Sequence, residues 1–131
     1  MTLFLCGRYA ERGYLRWLRD QVLKPAAFEV VSTWMDLDAH DDRDVGLEQI
    51  QRNRYDLVRA EALIYRPAWI PTPGRMVDIG MAIALHRPII VLEAGSWEEL
   101  GEFDRTLYLK GATFCPDPCQ LPAVLATLQT A

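Results

Sequence analysis

The chain has few of the residues that dominate metal-binding and disulfide-stabilised proteins: three cysteines and two histidines among 131 residues. An odd cysteine count is typical of a reducing compartment, so we expect a cytoplasmic protein without a disulfide framework. Cys115 and Cys119 stand in the segment CPDPC, whose spacing does not suit a zinc knuckle, and no second pair follows it. The sequence therefore predicts no metal site.

Long apolar runs and basic stripes are also missing. No apolar stretch reaches the roughly 18 residues that a bilayer-spanning helix needs, so no membrane span is expected. No basic segment precedes the apolar burst at the N-terminus, which reads as a first strand and not as a signal peptide. A net charge of −4 without a basic face argues against a binder of duplex nucleic acid. Half of the residues are apolar, enough for the core of one domain over residues 1–131.

Apolar runs and amphipathic segments alternate along the chain. Apolar or β-branched runs predict five strands, at residues 2–7, 28–35, 61–69, 87–94 and 112–117. Helical periodicity and composition predict five helices, at residues 14–22, 47–60, 73–85, 97–109 and 121–131. This alternation predicts an α/β fold, a doubly wound parallel five-stranded sheet with helices on both faces in the flavodoxin or Rossmann-like manner.

Ligand sites in such sheets lie beyond the carboxyl ends of the strands. Gly7 and Arg8 follow the first predicted strand, where a glycine lets a ligand approach the backbone; a plain tight turn is equally compatible with them. Tyr9 and Trp34 belong to the same edge. Either aromatic ring could stack on a base or sugar, or pack at the rim of the sheet.

Asp78 is the residue that its surroundings explain least. Thr72 can cap the third predicted helix and Pro73 suits its first position, so Asp78 falls in the second turn of an otherwise apolar helix. Burying an unpaired carboxylate is costly, whereas the dipole of a helix favours the ionised form near its start. Asp78 is therefore either a nucleophile or cation stabiliser facing a cleft, or a structural acid paired with Arg75.

Three further features bear on function. Arg75 follows Gly74 near the start of the same helix and could bind a phosphate, orient a carboxylate or lie in solvent. Asp56 lies on the preceding helix and could bond a sugar hydroxyl, although such an acid is more often a surface residue. The acidic run at residues 36–44 lacks the glycine and the final glutamate of a calcium loop, so we expect a polar loop over the site.

Three segments, taken in order and spacing, resemble the nucleoside 2-deoxyribosyltransferase family and its nucleotide N-glycosidase relatives. The segment LFLCGRY is similar to the first strand of that family, and EVVSTWMD is similar to the second strand with its Ser-x-Trp ending. The longest match is NRYDLVRAEALIYRPAWIPTPGRMVDIGMAIALHRPIIVLE, which resembles the family core. In that core a helical aspartate precedes a strand, and a glycine-rich turn then leads to the nucleophile.

The resemblance implies cleavage or exchange of the N-glycosidic bond of a nucleoside or nucleoside 5′-monophosphate, without a cofactor, by a homodimer or larger homo-oligomer. Asp78 corresponds to the family's nucleophilic carboxylate, which attacks the anomeric carbon through an oxocarbenium-like transition state. Asp56 corresponds to the sugar-positioning aspartate. Gly74 and Arg75 match a glycine–arginine pair of one branch, and relatives line the pocket with residues at the positions of Tyr9 and Trp34.

The chain departs from the family pattern at two positions. The nucleophile slot holds an aspartate, one methylene shorter than glutamate, and a displacement of about 1 Å can cost on the order of a hundredfold in rate. Thr72 stands where many transferases carry an aspartate that binds and protonates the base. These departures leave a second hypothesis open, a binding module that senses a nucleotide on the same fold without catalysis.

Overall fold

The computed structural model describes residues 1–37, 47–67, 73–106 and 109–129. The strands are β1 (Thr2–Cys6), β2 (Glu29–Val30), β3 (Ala62–Tyr65), β4 (Ile89–Leu92) and β5 (Thr113–Cys115). The α-helices are α1 (Arg12–Trp17), α2 (Leu47–Arg59), α3 (Pro73–Ala84), α4 (Glu102–Thr106) and α5 (Leu121–Gln129).

The five strands form one parallel sheet in the order β2-β1-β3-β4-β5, with helices on both faces, which confirms the predicted flavodoxin-like fold. Helices α2 and α3 pack against each other and against β1. The chain order reverses between β1 and β3, because β1 leads outward to β2 while β3 leads to β4. Ligands in open α/β sheets bind at such a switch point, so this edge is where a site is expected.

The central strands are buried on both faces. All residues of β3 and β4 are buried, and in β1 every residue after Thr2 is buried. Continuous burial of aliphatic side chains is what a parallel sheet covered by helices on both sides requires. No helix among the described residues is long and apolar enough to cross a membrane.

The second strand is much shorter than the predicted 28–35. Regular pairing with β1 ends after Val30, and residues 34–36 form a 3₁₀ turn. Side chains take over the backbone groups of Leu5 that a longer β2 would have paired: its N–H donates to Ser32 Oγ at 3.1 Å, and its carbonyl accepts from Trp34 Nε1 at 2.7 Å. The residue types of this segment favour a β-strand, so local sequence predicts one. In the structure, side-chain hydrogen bonds replace the backbone pairing with β1 after Val30.

Two predicted helices differ in length or form. The first extends beyond Pro25, through a π-helical segment (Leu18–Leu23) and a 3₁₀ turn (Lys24–Ala26), and it ends where Ala27 adopts a left-handed φ of 67°. The fourth is broken: residues 97–99 form a 3₁₀ turn, Leu100 is extended, and α4 begins only at Glu102. Leu100 is buried, so this break places its side chain in the core.

Helix α3 begins at Pro73, as predicted, and ends in a Schellman motif. His86 has a φ of 55°, its N–H donates to the carbonyl of Ile83, and the N–H of Arg87 donates to the carbonyl of Ala82. The chain then turns directly into β4. This closure fixes the far end of the helix that carries Asp78.

Candidate active site

Helix α3 presents a mixed stripe to the sheet. Arg75, Asp78, Ile79 and Ala82 are all buried, and their spacing of three, four and seven residues puts them on one side of the helix. Two of these residues are charged, and both belong to the first two turns. Because α3 follows β3, these turns lie at the carboxyl edge of the sheet.

The two strands that flank the switch point complete this group. Cys6 ends β1 and Tyr65 ends β3, and the two residues are paired in register, so their side chains leave the sheet on the same face. Asp104 reaches the group from α4. We call these residues the buried polar cluster; each is at most 7% exposed, and its members are Cys6, Tyr65, Arg75, Asp78 and Asp104.

Asp78 is buried with little compensation. Its side chain is 7% exposed, and one carboxyl oxygen, Oδ2, accepts a hydrogen bond from Cys6 Sγ at 3.9 Å. Within the part of the chain that the structure describes, Asp78 forms no ion pair, so pairing with Arg75 does not account for it. Burial raises the pKa of Asp78 to about 7, and the bond from Cys6 opposes that rise.

The raised pKa of Asp78 changes one expectation from the sequence. The helix dipole was expected to hold this carboxylate ionised, yet removal from water has the larger effect. At pH 7 the carboxyl group is therefore divided between its neutral and ionised forms. A buried acid with a strongly shifted pKa at a sheet edge is a typical feature of a functional site.

Tyr65 and Asp104 form the second pair of the cluster. The Tyr65 hydroxyl donates to Asp104 Oδ1 at 2.5 Å, and burial together with this carboxylate raises the pKa of Tyr65. The guanidinium of Arg75 lies 6.0 Å from the centre of the Tyr65 ring, within reach of a cation–π interaction. Its positive charge opposes the rise in the pKa values of both Tyr65 and Cys6.

Asp56 is buried, contrary to the commoner expectation for a helical aspartate, at 2% exposure. Its Oδ2 accepts hydrogen bonds from the backbone N–H of Thr33 at 3.2 Å and from the Thr33 hydroxyl at 2.8 Å. Arg59 approaches the other oxygen at 4.0 Å. Asp56 thus ties the end of α2 to the chain that follows β2.

The two candidate aromatic residues also bond to protein groups. Trp34 is 7% exposed, and its indole N–H donates a hydrogen bond to the carbonyl of Leu5. The hydroxyl of Tyr9 donates to the carbonyl of Leu37 at 2.7 Å, and Arg12 lies over the Tyr9 ring at 4.3 Å. These bonds connect the chain that follows β2 with β1 and with the turn after β1. Trp34 is buried, and Tyr9 is partly open to solvent.

The predicted glycines differ in their packing. A Cβ at Gly7 would lie 2.9 Å from Leu15 Cδ1, so helix α1 approaches the backbone closely at this turn. A Cβ at Gly74 would meet nothing within 4 Å. Arg8 is partly exposed beside Gly7, and Thr72 lies outside the described residues.

A second group of charges occupies the opposite face of the same edge. Arg66 follows Tyr65 and bonds Glu93 at 2.9 Å and Glu11 at 2.6 Å, while its guanidinium lies 4.0 Å from the centre of the Tyr14 ring. The Tyr14 hydroxyl donates to Glu93 at 2.8 Å. These bonds fasten the ends of β3 and β4 to the start of α1.

The structure places Arg75 and Asp78 on the same buried side of α3, and the buried polar cluster includes three residues that the sequence analysis did not single out. Cys6 could have been noted, because it is the last residue of the first strand at the switch point. Tyr65 ends β3 in the same way. Nothing in the local sequence marks Asp104, which meets Tyr65 across 39 positions of chain.

Comparisons with known proteins bear on the fold. A scan against protein-family models gives no match, and a search among curated proteins gives none either. Among solved structures, the chain is similar to the CMP N-glycosidase BcmB of Clostridium botulinum, with a TM-score of 0.59 and 18% sequence identity. The alignment covers 98% of this chain and 99% of that one. A likeness at 18% sequence identity shows a shared fold, which extends over almost the whole length of both chains.

Proposed function

We propose that the protein is an enzyme that cleaves or transfers the N-glycosidic bond of a nucleoside or nucleoside 5′-monophosphate, with Asp78 as the nucleophile. The observation that carries the proposal is a carboxyl group with a pKa near 7, buried at the switch point with no ion pair among the described residues. The shared fold with a CMP N-glycosidase supports the choice of substrate class.

The reaction proceeds in two displacements at one carbon. An ionised oxygen of Asp78 attacks the anomeric carbon, the bond to the base nitrogen breaks, and its electron pair leaves with the base, which takes up a proton from solvent. A water molecule, or a second base, then attacks the same carbon, loses a proton to solvent and breaks the ester, so that the Asp78 carboxylate is regenerated. Both steps pass through an oxocarbenium-like transition state, which a nearby carboxylate stabilises.

The other candidate residues have supporting roles in this proposal. Arg75 supplies fixed positive charge beside the reacting carboxylate, where it would orient the substrate or meet its phosphate. Arg8 and Gly7 border the same edge after β1. Thr33 bonds one carboxylate oxygen of Asp56, so Asp56 would contact the sugar only through its other oxygen. It would also act indirectly, by holding the chain segment that follows β2.

One observation favours the alternative, a nucleotide sensor on the same fold. The polar groups of three candidate residues form hydrogen bonds within the protein; these residues are Trp34, Tyr9 and Asp56. A site that only binds a ligand needs no optimally placed nucleophile, so the shorter acid at position 78 would be tolerated there.

A substrate screen tests the proposal. We expect purified protein at pH 8, where Asp78 is mostly ionised, to release free base from at least one nucleoside or nucleoside 5′-monophosphate, ribose and 2-deoxyribose series both included. Chromatography of the mixture, with and without a second free base, measures the products. Release without an acceptor indicates a hydrolase, whereas release that requires the acceptor and yields a new nucleoside indicates a transferase.

The same screen separates the enzyme from the sensor. Titration calorimetry on each compound identifies ligands independently of turnover. A compound that binds tightly and stays intact through a long incubation with acceptor base contradicts the proposed enzyme and supports the sensor.

A further inference from the structure

We propose that Cys6 is a positioning residue for Asp78: its S–H group holds Oδ2 of the carboxylate and leaves the other oxygen to meet the substrate. This inference rests on the proposed function for its catalytic meaning. The contact itself, at 3.9 Å between Sγ and Oδ2, stands on the structure alone.

Cys6 and Asp78 lie on two elements that pack against each other. Cys6 is the last residue of β1, 1% exposed and fixed by its pairing with Tyr65 of β3. Asp78 lies in the second turn of α3, which packs on both of these strands. Neither backbone can shift without disturbing the central sheet, so the thiol and the carboxylate are held facing each other.

The thiol is also the one hydrogen-bond donor that reaches Asp78 within the described residues. The remaining members of the buried polar cluster come from three elements: Tyr65 on β3, Asp104 on α4 and Arg75 on α3 itself. Asp104 is bonded to Tyr65, and Asp56, the buried acid of the neighbouring helix α2, is bonded to Thr33. No other described group therefore orients the carboxyl plane of Asp78 by a hydrogen bond.

A thiol has a chemical advantage at this position. It is a weak donor, so it can fix one oxygen without withdrawing much charge from the carboxylate. A strong donor would favour the ionised form but would also reduce its nucleophilicity. Burial opposes loss of the Cys6 proton, since it raises the pKa of the thiol, so Cys6 stays a donor at neutral pH.

The test compares two buried cysteines by Cys→Ala replacement. Cys115 is also completely buried at a strand end, but its thiol bonds the carbonyl of Asp117 and lies outside the buried polar cluster. We expect Cys6→Ala to raise the midpoint of the Asp78 carboxyl titration by about half a pH unit, because a weak bond to the ionised form is lost. Cys115→Ala should leave the midpoint unchanged.

Carbon-13 NMR of the aspartate carboxyl groups reads this titration without substrate, and the Asp78 signal is the one missing from Asp78→Asn. An unchanged midpoint in Cys6→Ala, or an equal shift in Cys115→Ala, overturns the proposal. Should Cys6→Ala fail to fold, Cys6→Ser keeps a donor in a similar volume and should hold the midpoint at or below that of the wild type. A higher midpoint in Cys6→Ser contradicts the proposal as well.

Activity adds a second readout. If base release requires ionised Asp78 in the orientation that Cys6 holds, Cys6→Ala should release base more slowly than wild type at pH 9, where the carboxyl group is ionised in both proteins, and the deficit should be about threefold larger at pH 6. Because the NMR titration needs no turnover, a shifted midpoint with no base release from any nucleotide rejects the proposed function and leaves the role of Cys6 intact. An unshifted midpoint with active enzyme rejects only the role of Cys6.

Discussion

Asp78→Asn is expected to lower base release on the order of a thousandfold or more, because an amide oxygen carries no negative charge and cannot form the glycosyl ester. The substitution keeps the size of the side chain, so the packing of α3 against the sheet should be retained. The effect should lie in kcat/KM, and substrate should still bind. Single-turnover assays on the best substrate from the screen measure it.

A matched control separates this loss from a general effect of removing a carboxylate. Asp20→Asn changes the same functional group at an exposed position, where Asp20 bonds only Arg19 among the described residues. It should retain the full rate. An Asp78→Asn protein that releases base within tenfold of the wild-type rate would show that this carboxylate is not the nucleophile.

The largest expected effect on stability also comes from Asp78. Its pKa is near 3.8 in an unfolded chain and about 7 in the folded protein, so the folded state binds more protons between these values. The contribution of Asp78 to the free energy of unfolding should therefore be largest below pH 4, decrease as the pH rises to 7, and stay constant at higher pH. The group's contribution to that fall is on the order of 4 kcal/mol.

Asp78→Asn isolates this contribution, because an asparagine has no proton to lose. The difference in the free energy of unfolding between variant and wild type should grow in favour of the variant from pH 4 to pH 7, and urea titrations along this range measure it. A difference that stays constant over that range would mean that Asp78 titrates normally. At pH 8 the variant should be both inactive and the more stable protein, so its inactivity would not reflect unfolding.

Much of the fold follows from local sequence. The apolar runs of β1, β3 and β4 are long enough and uniform enough to predict buried parallel strands, and the start of α3 at Pro73 is marked by its own residue type. The length of β2 could not be predicted, because Ser32 and Trp34 replace backbone pairing by side-chain bonds to Leu5. Those bonds depend on a neighbour almost thirty residues away.

The candidate site, like the fold, could be predicted only in part from local sequence. The spacing of Arg75 and Asp78 with the apolar residues that follow them on α3 is visible in the sequence, but solvent exposure of Arg75 was equally compatible with it, and the structure shows that both side chains are buried. The partner of Asp78 was not visible, because Cys6 lies 72 positions earlier and only the β1–β3 register aims its thiol at α3. The shift in the pKa of Asp78 likewise depends on burial, which the surrounding fold determines.

Mass spectrometry of the trapped enzyme can detect the proposed covalent bond between Asp78 and the sugar. A nucleotide with fluorine at the 2′ carbon destabilises positive charge at the anomeric carbon and slows breakdown of the intermediate, so the glycosyl-enzyme should accumulate. We predict one added sugar group on the peptide that contains Asp78, absent from Asp78→Asn. Base release from this compound with the sugar attached to another residue, or to none, would show that Asp78 is not the nucleophile.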